Sequence, residues 1–157
     1  MHDFYSLNPV FGHVDERLRK EVFEFWKSNQ AIGDPDEAWR RTNQVAIVIR
    51  NAVGDVVGVS TVYVALHTGG LPYYFYRSFV RPADRVYKLA HRTLLETREL
   101  LETLTDPHKP KGLVIVAENK KLMRKGMRRF LEGSQFVFEG WTATGEGVWK
   151  YDFAPLA

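Results

Sequence analysis

Two sets of side chains in this sequence are of types that do chemistry. The first is basic and local: Arg85 and Lys88 stand at the head of an apolar-striped stretch, Val80-Arg-Pro-Ala-Asp-Arg-Val-Tyr-Lys-Leu-Ala-His-Arg-Thr-Leu-Leu95. A helix beginning there presents first-turn amides with no partner inside the helix, and its dipole favours a negative charge, so a phosphate suits it. From the residues alone, an ordinary amphipathic helix with a basic first turn suits the segment equally well. The second set is dispersed: Tyr74, Tyr76, Tyr151, Glu118, His67 and His91 carry groups that can take or give a proton. Strand alternation puts Tyr74 and Tyr76 on one face and Tyr73, Phe75 and Arg77 on the other. Each tyrosine is also readable as a core or rim aromatic, Glu118 as a helix N-cap neighbour, and His91 as a structural residue beside an apolar stripe. A third feature is a helical face of Lys120, Lys121, Arg124, Lys125, Arg128 and Arg129, opposite Leu122, Met123, Met127, Phe130 and Leu131. Phosphates, nucleic acid or an anionic membrane would fit it, and so would solvent.

Several chemistries are set aside. The five histidines are scattered without paired spacing to carboxylates, so no metal site is expected. Neither a Gly-rich phosphate loop nor a nucleophile elbow is present. Cysteine is absent, which removes disulfides, thiolate zinc sites and cysteine nucleophiles. With 157 residues, 45% of them hydrophobic and 26% charged, one compact domain spanning 1–157 is expected. No apolar run approaches the roughly 20 residues of a membrane helix, and Met-His-Asp-Phe-Tyr at the start lacks the pattern of a secretory signal. A soluble, cytoplasmic protein without membrane contact is therefore expected. The net charge of +3 suits a phosphorylated ligand but is too weak by itself to imply nucleic acid.

Periodicity supplies the elements that must position these groups. Val14, Leu18, Val22, Phe25 and Trp26 predict a helix from about Asp15 to Ser28. Asp34-Pro35-Asp36-Glu37 predicts a second, with Asp34 as N-cap, Glu37 placed for a capping box and Trp39 as buried anchor. Val45–Arg50 and Val56–Val64 predict an antiparallel hairpin, and Tyr73–Val80 a third strand with both faces covered. Val86, Leu89, Ala90, Thr93, Leu94, Thr97, Leu100, Leu101 and Leu104 trace one long helix ended by Asp106-Pro107. Gly112–Ala117 follows as a strand parallel to the third. A helix from Asn119 to about Glu132 and strands Gln135–Trp141 and Gly147–Phe153 complete the order. The fold class expected is α/β (α+β), a mixed, mostly antiparallel sheet of about six to seven strands with helices on both faces.

The join at Val80–Leu95 resembles the GNAT acyltransferase superfamily, which carries Val-x-Pro shortly before Arg/Gln-x-x-Gly-x-Gly/Ala and then a Leu-Leu pair. Val80, Pro82, Arg85, Ala90, Leu94 and Leu95 fall at matching positions, and the element order from about residue 14 to 153 matches as well. One position departs, because Lys88 stands where the family has its first loop glycine. The resemblance implies a GNAT-like domain that uses acetyl-CoA or another acyl-CoA as co-substrate and acylates an amine. It also implies that Ser78, Phe79 and Val80 bond the pantetheine arm like an added strand, where Tyr73–Val80 and Leu113–Ala117 diverge. Arg85, Val86, Tyr87, Lys88, Leu89 and Ala90 would hold the pyrophosphate, with Asn119 further along as a cofactor contact. Lysine cannot give glycine's clearance, but its ammonium can meet a phosphate as a point charge.

For the chemistry, the family polarises the thioester carbonyl with a backbone N–H, a role that falls near Val80, and often draws a base from the same strand. Leu71–Val80 contains no carboxylate, and the family's usual tyrosine acid is missing from Asn119–Glu132. Tyr76, Glu118 and Tyr151 remain as catalytic candidates. Three functions stay open: an N-acyltransferase on an unidentified amine, a GNAT-fold coenzyme-binding or interaction protein with impaired catalysis, and an acyltransferase acting on nucleic acid or aminoacyl-tRNA through the Lys120–Arg129 face. A homodimer is left open.

Overall fold

A computed structural model describes residues 4–117 and 124–155 of the chain. The chain divides into two compact units, Met1–Val62 with Arg77–Leu100 and Tyr63–Tyr76 with Leu101–Ala157. The strands are β1 (Ser6–Pro9), β2 (Val45–Arg50), β3 (Val56–Leu66), β4 (Pro72–Val80), β5 (Gly112–Ala117), β6 (Val137–Trp141) and β7 (Gly147–Asp152). They form a seven-stranded sheet in the order β1-β2-β3-β4-β5-β7-β6. β4 and β5 pair in parallel, while β1 with β2, β2 with β3, β5 with β7 and β6 with β7 pair antiparallel, so the sheet is mixed and mostly antiparallel, as expected. Among the described residues four helices accompany it: α1 (Glu16–Ser28), α2 (Pro35–Arg41), α3 (Leu89–Glu102) and α4 (Lys125–Gly133).

In the first unit, α1 starts where the Asp15 carboxylate accepts from the Leu18 amide at 2.8 Å, a cap that typically stabilises by about 1 kcal/mol. Its stripe of Val22, Phe25 and Trp26 packs with Ala38 of α2 on Val45, Val48, Val56 and Val59. On the other face Ile47, Ile49, Val57 and Val80 pack with Leu89 and Leu100 of α3. A bulge between Val45 and Ile47 lets Val45 and Val48 share a face, against simple alternation. Thr93 and Thr97 sit fully buried in the α3 stripe because their hydroxyls bond Leu89 O and Thr93 O, and Thr97 also meets Ser60 at 2.9 Å.

Three local expectations change. The α2 capping box does not form: Asp34 accepts from Asp36 N, while Glu37 is taken by Arg40 and Arg41. Trp39 is only half-buried, sandwiched by the Arg19 guanidinium and Phe23, and Ala38 is the buried residue of α2. The long helix begins at Leu89 rather than Val86, because a short 3-10 turn, Pro82–Asp84, and a loop through Lys88 intervene. β1 carries no clear period-2 signal and was not anticipated.

In the second unit, β4 and β5 pair in the register Tyr74↔Leu113, Phe75↔Val114 and Tyr76↔Ile115. β4 itself runs on to Val80, and those last residues belong to the first unit. β5 continues along β7, with Val116 facing Val148 and Ala117 facing Gly147. Gly112 is required where these two strands meet, since a Cβ there would lie 2.0 Å from the Tyr151 carbonyl oxygen.

Candidate functional site

The join of β4 and α3 is built by short-range bonds. Arg81 N donates to Val57 O at 2.9 Å, tying the end of β4 to β3. Asp84, only 7% exposed, accepts from the Arg81 guanidinium and, at 2.8 Å, from the Tyr5 hydroxyl. Burial opposes the charge on Asp84, but these two donors outweigh it and hold the carboxyl below its ordinary range. The hydrogen bond to Asp84 correspondingly pushes the Tyr5 phenol up, with burial adding to it. The one acidic side chain of the loop is thereby consumed internally.

Beyond it the loop turns outward. Arg85 Nε donates to Val80 O at 2.8 Å, and its guanidinium lies 5.6 Å over the Phe79 ring. Lys88 has φ +64°, the left-handed conformation that a glycine adopts without strain and other residues adopt at a cost of about 1–2 kcal/mol. A cavity of about 260 Å³ lies here, lined by Val80, Arg85, Val86, Lys88 and the first turn of α3, Leu89–His91. No carboxylate pairs with Arg85 or Lys88 among the described residues. Two uncompensated cations and a helix N-terminus therefore share one concavity, an arrangement that attracts a polyanion. Burial, then the Lys88 charge, pushes the His91 imidazole below its ordinary value. Val86 and Tyr87, expected on the helix stripe and in the loop, are 45% and 84% exposed.

No family model matches the chain, and no curated protein matches it in sequence. Its fold is nonetheless shared by solved structures. A phosphinothricin acetyltransferase from Sinorhizobium meliloti in complex with AcCoA superposes with a TM-score of 0.70 at 11% identity, over 96% of this chain and 89% of that one. An acetyltransferase of the GNAT family from Streptococcus pneumoniae gives 0.65 at 8% identity, over 96% and 99%. NAA60 of Arabidopsis thaliana in complex with acetyl-CoA gives 0.62 at 9% identity, over 94% and 98%. The chain has the GNAT fold.

Within that fold the sequence candidates take definite places. Ser78 is exposed, Phe79 turns toward α1 to meet Phe25 with ring centroids 5.8 Å apart, and Val80 is buried toward α3. Arg85, Val86, Lys88, Leu89 and Ala90 all line the cavity. The alternation along β4 is as expected: Tyr73 and Phe75 both meet the His67 ring, whereas Tyr74 meets Phe153. Tyr76 is half-buried on the Tyr74 side by the same alternation. The Tyr151 hydroxyl donates to Glu102 at 2.8 Å and its ring packs on Phe136 and Phe153, so its proton is already directed at a carboxylate. Glu118 and Asn119, and Lys120 and Lys121 of the basic face, lie outside the described residues. Of that face, Arg124, Lys125, Arg128 and Arg129 are exposed on or beside α4, with Leu131 buried opposite. Among the described residues, no helix is long and apolar enough to cross a membrane.

A second polar cluster, unmarked by any motif, lies on the Tyr73–Phe75 face of the second unit. His67 Nε2 is 2.5 Å from Glu139 Oε1. Lys150 Nζ sits 3.7 Å from Glu139 and 3.5 Å from Asp152, and the Tyr73 hydroxyl donates to Asp152 at 2.7 Å. Burial works against the Lys150 charge, but the neighbouring Asp152, Tyr73 and Glu139 outweigh it and keep the ammonium above its ordinary value. Burial, then the bond to Asp152, pushes the Tyr73 phenol up. The sequence offers His67 only as an available proton carrier and does not single out Glu139. Its single sequence signal is an acid inside an otherwise apolar strand, Val-Phe-Glu-Gly-Trp.

Proposed function

We propose that this protein is a cytoplasmic acyl-CoA-dependent N-acyltransferase working as a single GNAT-like domain. The observation that carries the proposal is the left-handed Lys88. The loop keeps a glycine-type backbone turn at the position where the superfamily has glycine, despite the strain, and opens beside it a cavity with two uncompensated cations. Support comes from the fold, since structures of similar architecture are described as complexes with AcCoA and acetyl-CoA.

The residues present fit the coenzyme. First-turn amides of α3, the Lys88 ammonium and the Arg85 guanidinium hold the pyrophosphate, and the extended backbone of Ser78, Phe79 and Val80 bonds the pantetheine arm. Val80 O is already taken by Arg85, so the side chain fixes the strand end while its charge faces the cavity. The exposed Tyr87 ring offers a surface for the base. Bound acyl-CoA supplies an activated thioester carbonyl. The protein supplies orientation and backbone N–H groups for the oxygen that gains charge.

Titration calorimetry with acetyl-CoA, followed by thiol release across a panel of primary amines, tests the proposal. Saturable one-to-one binding and amine-dependent release are expected. Absence of any binding at millimolar acetyl-CoA overturns it.

A further inference from the structure

α4 departs from the charge pattern that α1 and α2 keep. Those two helices begin on aspartate caps, Asp15 and Asp34, with acids in their first turns and cations in their last. The helix dipole favours that distribution. α4 begins instead on Arg124 and Lys125, with no side-chain cap and no acid in its first turn. The dipole opposes cations at a helix start, so formation of the helix does not account for them. Arg124, Lys125, Arg128 and Arg129 are all exposed, and none pairs with a carboxylate among the described residues. Spacings of one and four residues put them on one side of α4, about 6 Å apart along each row. The opposite side is used by packing, with Leu131 only 2% exposed and Met127 and Phe130 half-buried.

An exposed aromatic lies at the same end of the second unit, to which all of these residues belong. β5 and β6 both pair antiparallel with β7, so they run parallel to each other, and α4 returns from the end of β5 to the start of β6. The first turn of α4 therefore lies toward the edge where both strands end, at Ala117 and Trp141, which face Gly147 from either side. Trp141 is 58% exposed. Its ring stands edge-on against Phe138 with centroids 5.3 Å apart, and Phe138 packs at 5.1 Å on the fully buried Trp149. A braced indole open to solvent is a surface on which an unpaired base can stack.

We infer that α4 and Trp141 form a binding surface for single-stranded RNA, with the four cations on phosphates of one strand and an unpaired base on the Trp141 indole. The surface stands independently of the acyl-CoA reading. A duplex keeps its bases stacked on one another, so it would meet the cations and leave the indole unused. Unpaired loops and ends, which RNA presents and paired DNA does not, offer phosphates and free bases together. An anionic membrane would need an apolar helix face to enter the headgroup boundary, and that face of α4 is already packed. Each phosphate neutralised on a single strand contributes about −0.7 to the slope of log affinity against log salt, so four contacts imply a slope of about −3.

The test measures fluorescence anisotropy of a labelled oligouridylate of about 12 nucleotides with the full-length protein, across a salt series starting at about 50 mM. An oligothymidylate of the same length, an RNA duplex and vesicles of phosphatidylcholine with phosphatidylserine serve as comparison ligands. The oligouridylate should bind with a slope of about −3, more tightly than the duplex or the vesicles and at least as tightly as the oligothymidylate. The double variant Arg124→Ser with Arg128→Gln should halve the slope, yet its urea stability should equal or exceed the parent's, because serine supplies a cap and two opposed charges are gone. Trp141→Leu should weaken binding about tenfold with the slope unchanged, and Trp141→Phe should recover most of that loss. No oligouridylate binding at about 100 μM protein overturns the inference, as does parent-like binding by the double variant or by Trp141→Leu. Tighter binding of the duplex, the vesicles or the oligothymidylate overturns it as well. Should Trp141→Leu fail to fold, the double variant carries the test.

Discussion

The β4–α3 join and the His67–Glu139 face are two polar regions assembled in opposite ways. At the join, every participating side chain but Tyr5 comes from one contiguous stretch, Phe79–His91, and the decisive property is a backbone angle. On the face, the bonded partners lie 72 and 79 positions apart in sequence, and the decisive property is which side chains the sheet register brings together. The join leaves Arg85 and Lys88 without a carboxylate partner among the described residues, beside a helix N-terminus; the face ties His67, Glu139, Lys150, Asp152 and Tyr73 into one polar cluster. A phosphorylated ligand is what the imbalance at the join would attract.

The strongest way to break this contrast is through the strand contact that aligns the face. Gly112→Ala should destabilise the fold by about 3 kcal/mol, since a Cβ 2.0 Å from the Tyr151 carbonyl forces β5 and β7 apart. Urea melts would show it, and a loss under about 1 kcal/mol would mean that the strands yield easily. Next comes charge at the join: Lys88→Glu should weaken acetyl-CoA binding about tenfold or more, because a carboxylate replaces the ammonium beside the phosphates. A subtler comparison separates backbone from charge at the same position. Lys88→Gly should be more stable than Lys88→Ala by about 1 kcal/mol, since alanine keeps the strain of φ +64° and glycine does not. Both should lose coenzyme affinity alike if the ammonium is the contact.

The smallest effect expected is on pH dependence. Burial first, then Lys88, depresses the His91 pKa in the folded state, so near pH 6 the unfolded chain binds more protons than the folded one. Stability therefore falls as pH drops below His91's ordinary value, and the loss is complete below its folded value. Urea melts at pH 7 and pH 5 should show His91→Gln flattening that slope; an unchanged slope would assign it to other groups.

The same contrast explains what the sequence disclosed. Val45–Arg50 and Gly112–Ala117 were legible to the residue because β-branched runs between turn residues specify strands locally. The join was legible through Val-x-Pro, Arg85, Ala90 and the Leu-Leu pair. The left-handed angle at Lys88 was not, because nothing in a lysine announces it. The start of α3 was misplaced since Val86 fits the apolar period yet lies in a loop fixed by Asp84's bonds to Arg81 and Tyr5. The face was illegible for a deeper reason. Glu139 pairs with His67 only once β3, β4, β5, β7 and β6 are in order, and no spacing along the chain encodes that order.

Calorimetric titration of the parent protein and Lys88→Glu with acetyl-CoA tests the central claim most directly. The account expects saturable one-to-one binding to the parent, with affinity lowered about tenfold or more by the charge reversal. Equal affinities, or no binding to the parent at all, would contradict it.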